Sequence, residues 1–212
     1  MTVTFEITGL VPQKKRKDRY SVFLDDEFAF GIHVDVLLKT GIAKGDRLDL
    51  EKIEEIQDLE EKRAAKDKAL RLLGVRARSR SEMRQRLERS DFSKPVIEWT
   101  LKELDRLKLL DDTEFAKMFS RSRMVTKPVG AYYLRRELFQ KGLSEKDIET
   151  GVNEAYRETD EATVARELAA KRKKMLKNKE EIKAKKRVSD FLQRRGFAFA
   201  IIHDVIDRWE EL

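Results

Sequence analysis

The strongest constraint on the fold of this chain is an internal repeat. The apolar pattern of residues 81–101 returns without internal gaps over residues 132–152 and 186–206. Self-similarity of this kind indicates a repeat architecture in which each copy is one supersecondary unit. The aligned positions that are apolar in all three copies are Met83, Leu134 and Val188; Leu87, Leu138 and Leu192; Phe92, Leu143 and Phe197; Ile97, Ile148 and Ile202; and Leu101, Val152 and Ile206.

Each copy is predicted to contain two helices joined by a tight turn. The first two aligned positions lie four residues apart, as do the last two, which places each pair on one helical face. Gly142 and Gly196 stand at the turn and suit the left-handed residue that ends a helix, whereas Asp91 in the first copy is less suited. A further helix is predicted before each pair, over residues 68–73, 114–123 and 161–175, so the unit has three helices.

Helix starts are marked by N-cap patterns. Ser79 with Glu82 and Ser144 with Asp147 have the spacing of a capping box. Asp111 and Asp112 stand directly before an apolar helical run, so capping is a better interpretation than metal binding.

The first fifty residues follow a period of two instead. Strands are predicted at Val3–Ile7, Tyr20–Leu24, Glu27–Phe30 and around Arg47–Leu50, with the second and third forming a hairpin about Asp25 and Asp26. A short helix over residues 32–39 ends at Gly41. The polar middle of the next helix, residues 58–68, is expected to be a spacer. We therefore expect a β-rich module over residues 1–50, a helical connector over 51–67, and three-helix repeats over 68–113, 114–159 and 160–212.

Charge varies in phase with the repeat. The chain has 47 Lys and Arg against 40 Asp and Glu, a net charge of +7. Basic residues crowd the start of the second helix in each copy, while acidic residues collect over residues 98–114 and 145–161. This pattern predicts a polyanionic partner.

A basic run over residues 14–17 is either a solvated turn or a phosphate-contacting loop. The basic connection over residues 171–186, which lacks Gly and Pro, can extend both of its helices.

The signatures of catalysis are missing from the sequence. Cysteine is absent, and the two histidines, His33 and His203, have no metal-ligand spacing around them. His203 is expected at the edge of a helical core. No phosphate-binding glycine loop or nucleophile elbow occurs. We expect a non-enzymatic protein without cofactor or metal. The first residues do not resemble a signal peptide and no long apolar window occurs, so a cytoplasmic location is expected.

Several local strings resemble the RecX regulatory proteins of bacteria. They are Ala69–Leu73, Arg78–Met83, Leu109–Asp112 with Phe115 and Ala116, and Gly130, Leu134, Glu137, Leu138 and Lys141–Leu143. The resemblance covers residue 65 to the C-terminus, and the hairpin module is similar to an N-terminal extension of some members. Two departures concern turns: Lys108 and Asp91 stand where the family often has Gly.

The resemblance implies a modulator, usually an inhibitor, of the RecA recombinase. It also implies tandem three-helix repeats in an elongated, curved arrangement, binding along the RecA filament, and affinity for single- and double-stranded DNA. Such a protein takes part in the regulation of recombination, in DNA repair and in the SOS response. We expect it to be a monomer. Whether filament growth is blocked or the filament is remodelled stays open.

Basic residues around the second helices are the candidate DNA or filament contacts. They are Arg76, Arg78, Arg80, Arg84, Arg135, Arg136, Lys173, Lys174, Lys185, Lys186 and Arg187. The alternative for each is a solvated face with local ion pairs, such as Arg84 with Glu88. A helix-turn-helix transcriptional regulator is the rival function, but the helix after the turn in the second copy, residues 145–155, is net acidic, which disfavours groove insertion. A purely structural adaptor is a third interpretation, and it predicts no salt-sensitive DNA affinity.

Overall fold

The computed structural model describes residues 3–176 and 179–212 and contains two compact units. The first unit contains the N-terminal module, the long helix that follows it and residues 83–109. The second contains residues 77–82 and 110–212.

The N-terminal module is a four-stranded antiparallel sheet with the order β3-β2-β1-β4. The strands are β1 (Thr4–Gln13), β2 (Arg16–Leu24), β3 (Glu27–His33) and β4 (Arg47–Asp49). The predicted hairpin is confirmed. Asp25 and Asp26 both have positive φ, 48° and 69°, as a two-residue turn between twisted strands requires. Helix α1 (Val34–Thr40) ends at Gly41, whose φ is 66°.

The module packs on helix α2 (Leu50–Val75), a single continuous element of 26 residues. Ile56 of α2 is fully buried among Ile7, Val22 and Ile32 of the sheet. The stretch over residues 58–68 is helical, as expected, but its role as a polar spacer is wrong, because Ala65 is fully buried and Lys66 pairs with Glu103. The module therefore shares its core with the helix that follows.

The repeats contain nine helices among the described residues when α2 is counted as the first helix of repeat 1. The others are α3 (Arg80–Glu88), α4 (Lys94–Arg106), α5 (Asp112–Thr126), α6 (Ala131–Gln140), α7 (Glu145–Ala155), α8 (Glu161–Lys174), α9 (Glu181–Arg194) and α10 (Phe199–Asp207). The basic connection over residues 171–186 extends both helices in part: residues 171–174 belong to α8, which ends at Lys174, and residues 181–186 belong to α9, which begins at Glu181. Lys177 of that basic run lies outside the described residues.

The aligned apolar positions form the cores, as predicted. Thirteen of the fifteen are buried, and Phe92 and Ile206 are half-buried. Repeats 2 and 3 each have their own cluster, and Trp209 closes the cluster of repeat 3 with 4% of its surface exposed. Repeats 2 and 3 therefore each bury their own apolar face.

The turn between the second and third helices has the predicted left-handed residue in every repeat. Gly142 and Gly196 have φ of 74° and 80°, and Asp91 adopts the same conformation with φ of 59°. Lys108, the second departure from the family pattern, also has a positive φ of 57°. Both departures thus place a side chain where the backbone favours glycine.

Candidate nucleic-acid and protein interface

The second helices α3, α6 and α9 carry most of the candidate basic residues. Met83, Leu134 and Val188 are fully buried and fix which face of each helix points inward. Leu87, Leu138 and Leu192 are also fully buried, four residues later in the same helices. Because side chains three to four residues apart share a helical face, these pairs define the inner face of each helix. Basic side chains on the second helices therefore occupy the outer face.

Two candidate arginines are ion-paired to the third helix of their own repeat. Arg135 Nε and Nη2 lie 2.7 and 2.9 Å from the two carboxylate oxygens of Glu149. The hydrogen bonds lower the pKa of Glu149 and raise the pKa of Arg135. Arg84 makes the equivalent pair with Glu98, fourteen residues on, so Glu88 is not its partner. Sequence reasoning missed both partners because this spacing arises only when two helices pack around a turn.

Repeat 3 lacks this ion pair. The aligned positions hold Ser189 and His203. His203 lies on the surface, with 64% of its side chain exposed and Nδ1 2.7 Å from Asp207, so its expected place at a core edge is wrong. Four of the five basic residues of α9 precede Ser189; they are Lys183, Lys185, Lys186 and Arg187.

The candidates before and at the start of α3 differ in exposure. Arg78 is buried, with 8% of its surface exposed, whereas Arg76 is exposed and Arg80 half-buried. The backbone N–H of Arg80 donates to Asp112 Oδ1 at 2.8 Å. Asp111 caps α5 by accepting from the backbone N–H of Glu114 at 2.9 Å. The capping interpretation of the two aspartates is thus confirmed for Asp111, and Asp112 fixes the start of α3.

Repeat 3 holds two of its candidate lysines against Trp209. Lys173 Nζ donates to the Trp209 carbonyl at 2.7 Å and lies 4.8 Å from the ring centre. Lys185 Nζ lies 5.9 Å from the same ring and pairs with Glu181. Lys174, Lys186 and Arg187 are exposed and form no ion pair within the described part of the chain. These three are available to a partner.

Helix α6 presents an exposed face that is partly aromatic. Arg136 is exposed between Tyr132 and Phe139, which are 70% and 71% exposed. Tyr133 packs on the core of repeat 2, so at least one of the two tyrosines serves packing, as expected. The side chains of Tyr132 and Phe139 border a shallow depression of about 300 Å³ that also includes Ile148. Sequence reasoning missed Phe139, although a phenylalanine outside the aligned apolar positions was a usable signal.

Within the second unit, the turn of one repeat packs against the start of a second helix. The Gly130 N–H donates to the Arg195 carbonyl at 2.8 Å, and Ser79 Oγ donates to the Lys141 carbonyl at 2.6 Å. Ser79 and Gly130 are aligned positions, as are Lys141 and Arg195. The same junction therefore occurs twice, and each time a basic turn residue, Lys141 or Arg195, lies beside the start of a second helix.

The charges of the third helices bear on the helix-turn-helix alternative. Helix α7 has four acidic residues and one basic residue, and α10 has two acidic residues and none that is basic. Helix α4 carries three of each sign. A recognition helix must approach the phosphate backbone on both sides of a groove, so none of the three has the expected charge.

In residues 3–176 and 179–212, no group of three or more His, Cys, Asp or Glu side chains is placed to hold a metal ion. Over the same residues, every helix is too short or too polar to span a bilayer.

A β-rich module followed by three tandem three-helix repeats, with basic second helices, defines the class of protein as a modular helical-repeat protein. Sequence models of four domains match in chain order. They are the Regulatory protein RecX N-terminal domain over residues 5–49 and the first, second and third RecX three-helix domains over residues 65–104, 111–151 and 158–206. The chain belongs to the RecX family of regulatory proteins.

Relatives support the assignment over nearly the whole chain. The chain is 36% identical to the regulatory protein RecX of Bacillus subtilis (strain 168), covering 96% of this chain and 77% of the relative. It is 30% identical to RecX of Staphylococcus aureus (strain JH9), covering 97% and 75%. A crystal structure of regulatory protein RecX superposes with a TM-score of 0.73 and 28% identity, over 96% of this chain and 99% of the other. A RecX structure from Lactobacillus salivarius shares the fold, with a TM-score of 0.65 and 20% identity over 73% and 99%.

Proposed function

We propose that this protein is a non-enzymatic regulator of the RecA recombinase and that it inhibits RecA by binding the RecA–DNA filament. The observation that carries the proposal is the match of all four RecX domains in order along the chain. The protein acts in the cytoplasm as a monomer, and it takes part in recombination, DNA repair and the SOS response through RecA.

The basic second helices supply the contacts in this proposal. A filament of protein and DNA is a periodic polyanion, and a series of similar repeats offers it recurring cations. Bound along the filament, the repeats limit RecA by blocking protomer addition or by favouring a less active filament. Single- and double-stranded DNA are the further partners.

The candidate residues divide by their interactions. Arg84, Arg135, Lys173 and Lys185 have ionic or cation–π partners within the chain, which reduces what a new partner gains from them. Arg136, Lys174, Lys186 and Arg187 are exposed, and we place them first in the interface. Tyr132 and Phe139 flank Arg136, and exposed aromatic residues beside an arginine are typical of binding hot spots.

The α6 face gives the direct test. The variant Tyr132→Ala/Arg136→Ala/Phe139→Ala removes one cation and two exposed aromatic residues. We expect it to bind RecA assembled on single-stranded DNA at least tenfold more weakly, because truncation of central aromatic or arginine residues costs about 2 kcal/mol or more. Binding is measured by anisotropy of the labelled protein titrated with preassembled filament.

The matched control is Lys102→Ala/Val125→Ala/Phe199→Ala. These residues are also exposed, and the change removes one cation and two apolar side chains outside α6. Filament binding by the control is expected to equal that of the wild type. Equal loss in both variants, or no loss in the α6 variant, contradicts the role of this face.

A further inference from the structure

The N-terminal module has a basic turn that strand pairing does not explain. Lys14 and Lys15 form the turn between β1 and β2, Arg16 and Lys17 begin β2, and all four are exposed. In the described part of the chain none of them forms an ion pair. Like charges this close repel one another, so the run favours an anionic partner.

The turn opens into a cleft between β2 and α2. The cleft has a volume of about 550 Å³, and its walls carry Arg16, Arg19, Arg63 and Arg71 together with Asp18 and Asp67. All of these residues belong to the first compact unit. Four guanidinium groups thus face one depression, with two carboxylates among them.

Two of the arginines are fixed in place by other groups. Arg19 Nη1 lies 2.6 Å from Glu60 Oε1, and its Nη2 donates to the Gly31 carbonyl at 3.2 Å. Arg63 pairs with Asp67 at 2.6 Å and Asp35 at 3.0 Å. These bonds fix the positions of the two guanidinium groups, while Glu60, Asp35 and Asp67 offset their charge. The positive charge that is left for an anion therefore comes from the turn residues and from Arg16 and Arg71.

The other two arginines have donors to spare. Arg71 is exposed and uses its Nε to donate to the Asp67 carbonyl at 3.3 Å, which leaves its two terminal nitrogens for a ligand. Arg16 is exposed at the mouth of the cleft. A guanidinium group matches the geometry of a phosphate with two parallel hydrogen bonds.

We propose that this turn and cleft bind the phosphate backbone of DNA. The charged walls argue against a protein partner, because the centre of a protein interface is apolar and aromatic, and Leu70, 40% exposed, is the largest apolar side chain lining this cleft. The N-terminal module is then a DNA-binding site separate from the repeats. The inference does not rest on RecA regulation.

The test measures binding of the full chain to a fluorescein-labelled oligothymidylate by anisotropy at several salt concentrations, with no recombinase present. In the variant Lys15→Ala/Arg16→Ala/Arg71→Ala, the slope of log affinity against log salt should fall by about 2, since each lost contact to a single strand removes about 0.7. The dissociation constant should rise at least tenfold at low salt.

The control is Lys39→Ala/Lys44→Ala/Arg47→Ala, which removes the same charge from exposed positions of the same module. Its salt slope should stay at the wild-type value. A second variant, Lys14→Ala/Lys15→Ala/Lys17→Ala, is confined to the exposed turn and should also lower the slope. The proposal is overturned if the first variant and the control change the salt slope equally, or if neither the first nor the second variant lowers it.

Discussion

At the scale of single residues, the turn between the second and third helices is subject to two separate constraints. The first is a left-handed backbone, shared by Asp91, Gly142 and Gly196. The second is close packing: a Cβ on Gly142 would overlap the Ser81 side chain, and one on Gly196 would lie 2.7 Å from the backbone nitrogen of Tyr133. Asp91 is exposed, so in repeat 1 the backbone conformation is the constraint that acts on it.

Substitutions at these turns should therefore have opposite signs. Asp91→Gly and Lys108→Gly should each raise the free energy of unfolding by about 1 kcal/mol, because a side chain in the left-handed region costs about 1–2 kcal/mol and glycine escapes this cost. Gly142→Ala should lower it, since both the conformation and the contact with Ser81 oppose a Cβ. Urea denaturation of the three variants measures these changes.

The result for Lys108 separates strain from other causes. Lys108 is exposed, and its backbone N–H donates to the Asp105 carbonyl at 2.8 Å. A Lys108→Ala variant keeps the Cβ and should leave stability near the wild-type value. If alanine stabilises as much as glycine, the lysine side chain and not the backbone conformation is responsible.

At the scale of elements, polar contacts hold α2 and α4 together. The buried positions of α2 include alanines. Ala65 and Ala69 are fully buried, which lets other backbones approach closely. Glu61 accepts from the backbone N–H of Ser93 at 2.6 Å at the start of α4, and Lys66 Nζ lies 3.0 Å from Glu103 further along. The polar middle of α2 is thus an interface.

Glu103 gives this interface a pH dependence. Hydrogen bonds from Arg106 and then Lys66 lower the pKa of Glu103 to about 2, below its ordinary value of 4.5. A depressed pKa in the folded state contributes stability above pH 4.5 that is lost as the pH falls from 4.5 towards 2. Wild type should therefore exceed Glu103→Gln in unfolding free energy at pH 6.

The difference should shrink steadily when the same urea denaturation is repeated at lower pH, down to pH 2.5. Glu114→Gln is the control, because Glu114 is exposed and pairs more loosely, 3.5 Å from Lys117. A wild-type advantage over Glu103→Gln that is the same at pH 6 and pH 2.5 would show that the carboxylate charge does not stabilise the interface.

Element by element, the sequence predicted what local periodicity controls. The apolar positions from Met83 to Ile206 and the hairpin about Asp25 follow from periods of 3.6 and 2, which need no knowledge of the tertiary fold. The Arg135–Glu149 pair and the docked middle of α2 depend on which helices become neighbours. A polar helix segment reads as solvent-exposed until its partner is known, so these features were out of reach.

At the scale of the whole molecule, the chain combines paired and unpaired positive charge. In repeats 1 and 2, Arg84 and Arg135 form ion pairs with the third helix of their own repeat. The exposed cations are Lys174, Lys186 and Arg187 of repeat 3 and the basic residues 14–17. Net charge alone predicts a polyanionic partner without locating it. The distribution of unpaired cations is what favours several separate contacts over one docking site.

We propose above that this protein regulates RecA by acting on the filament. The most direct test is the DNA-dependent ATPase rate of RecA from the same organism on single-stranded DNA, measured with increasing amounts of this protein, beside its DNA binding at two salt concentrations. We expect the rate to fall at protein concentrations well below those that saturate the free DNA. A rate that changes only once the DNA is saturated, or that never changes, would contradict it.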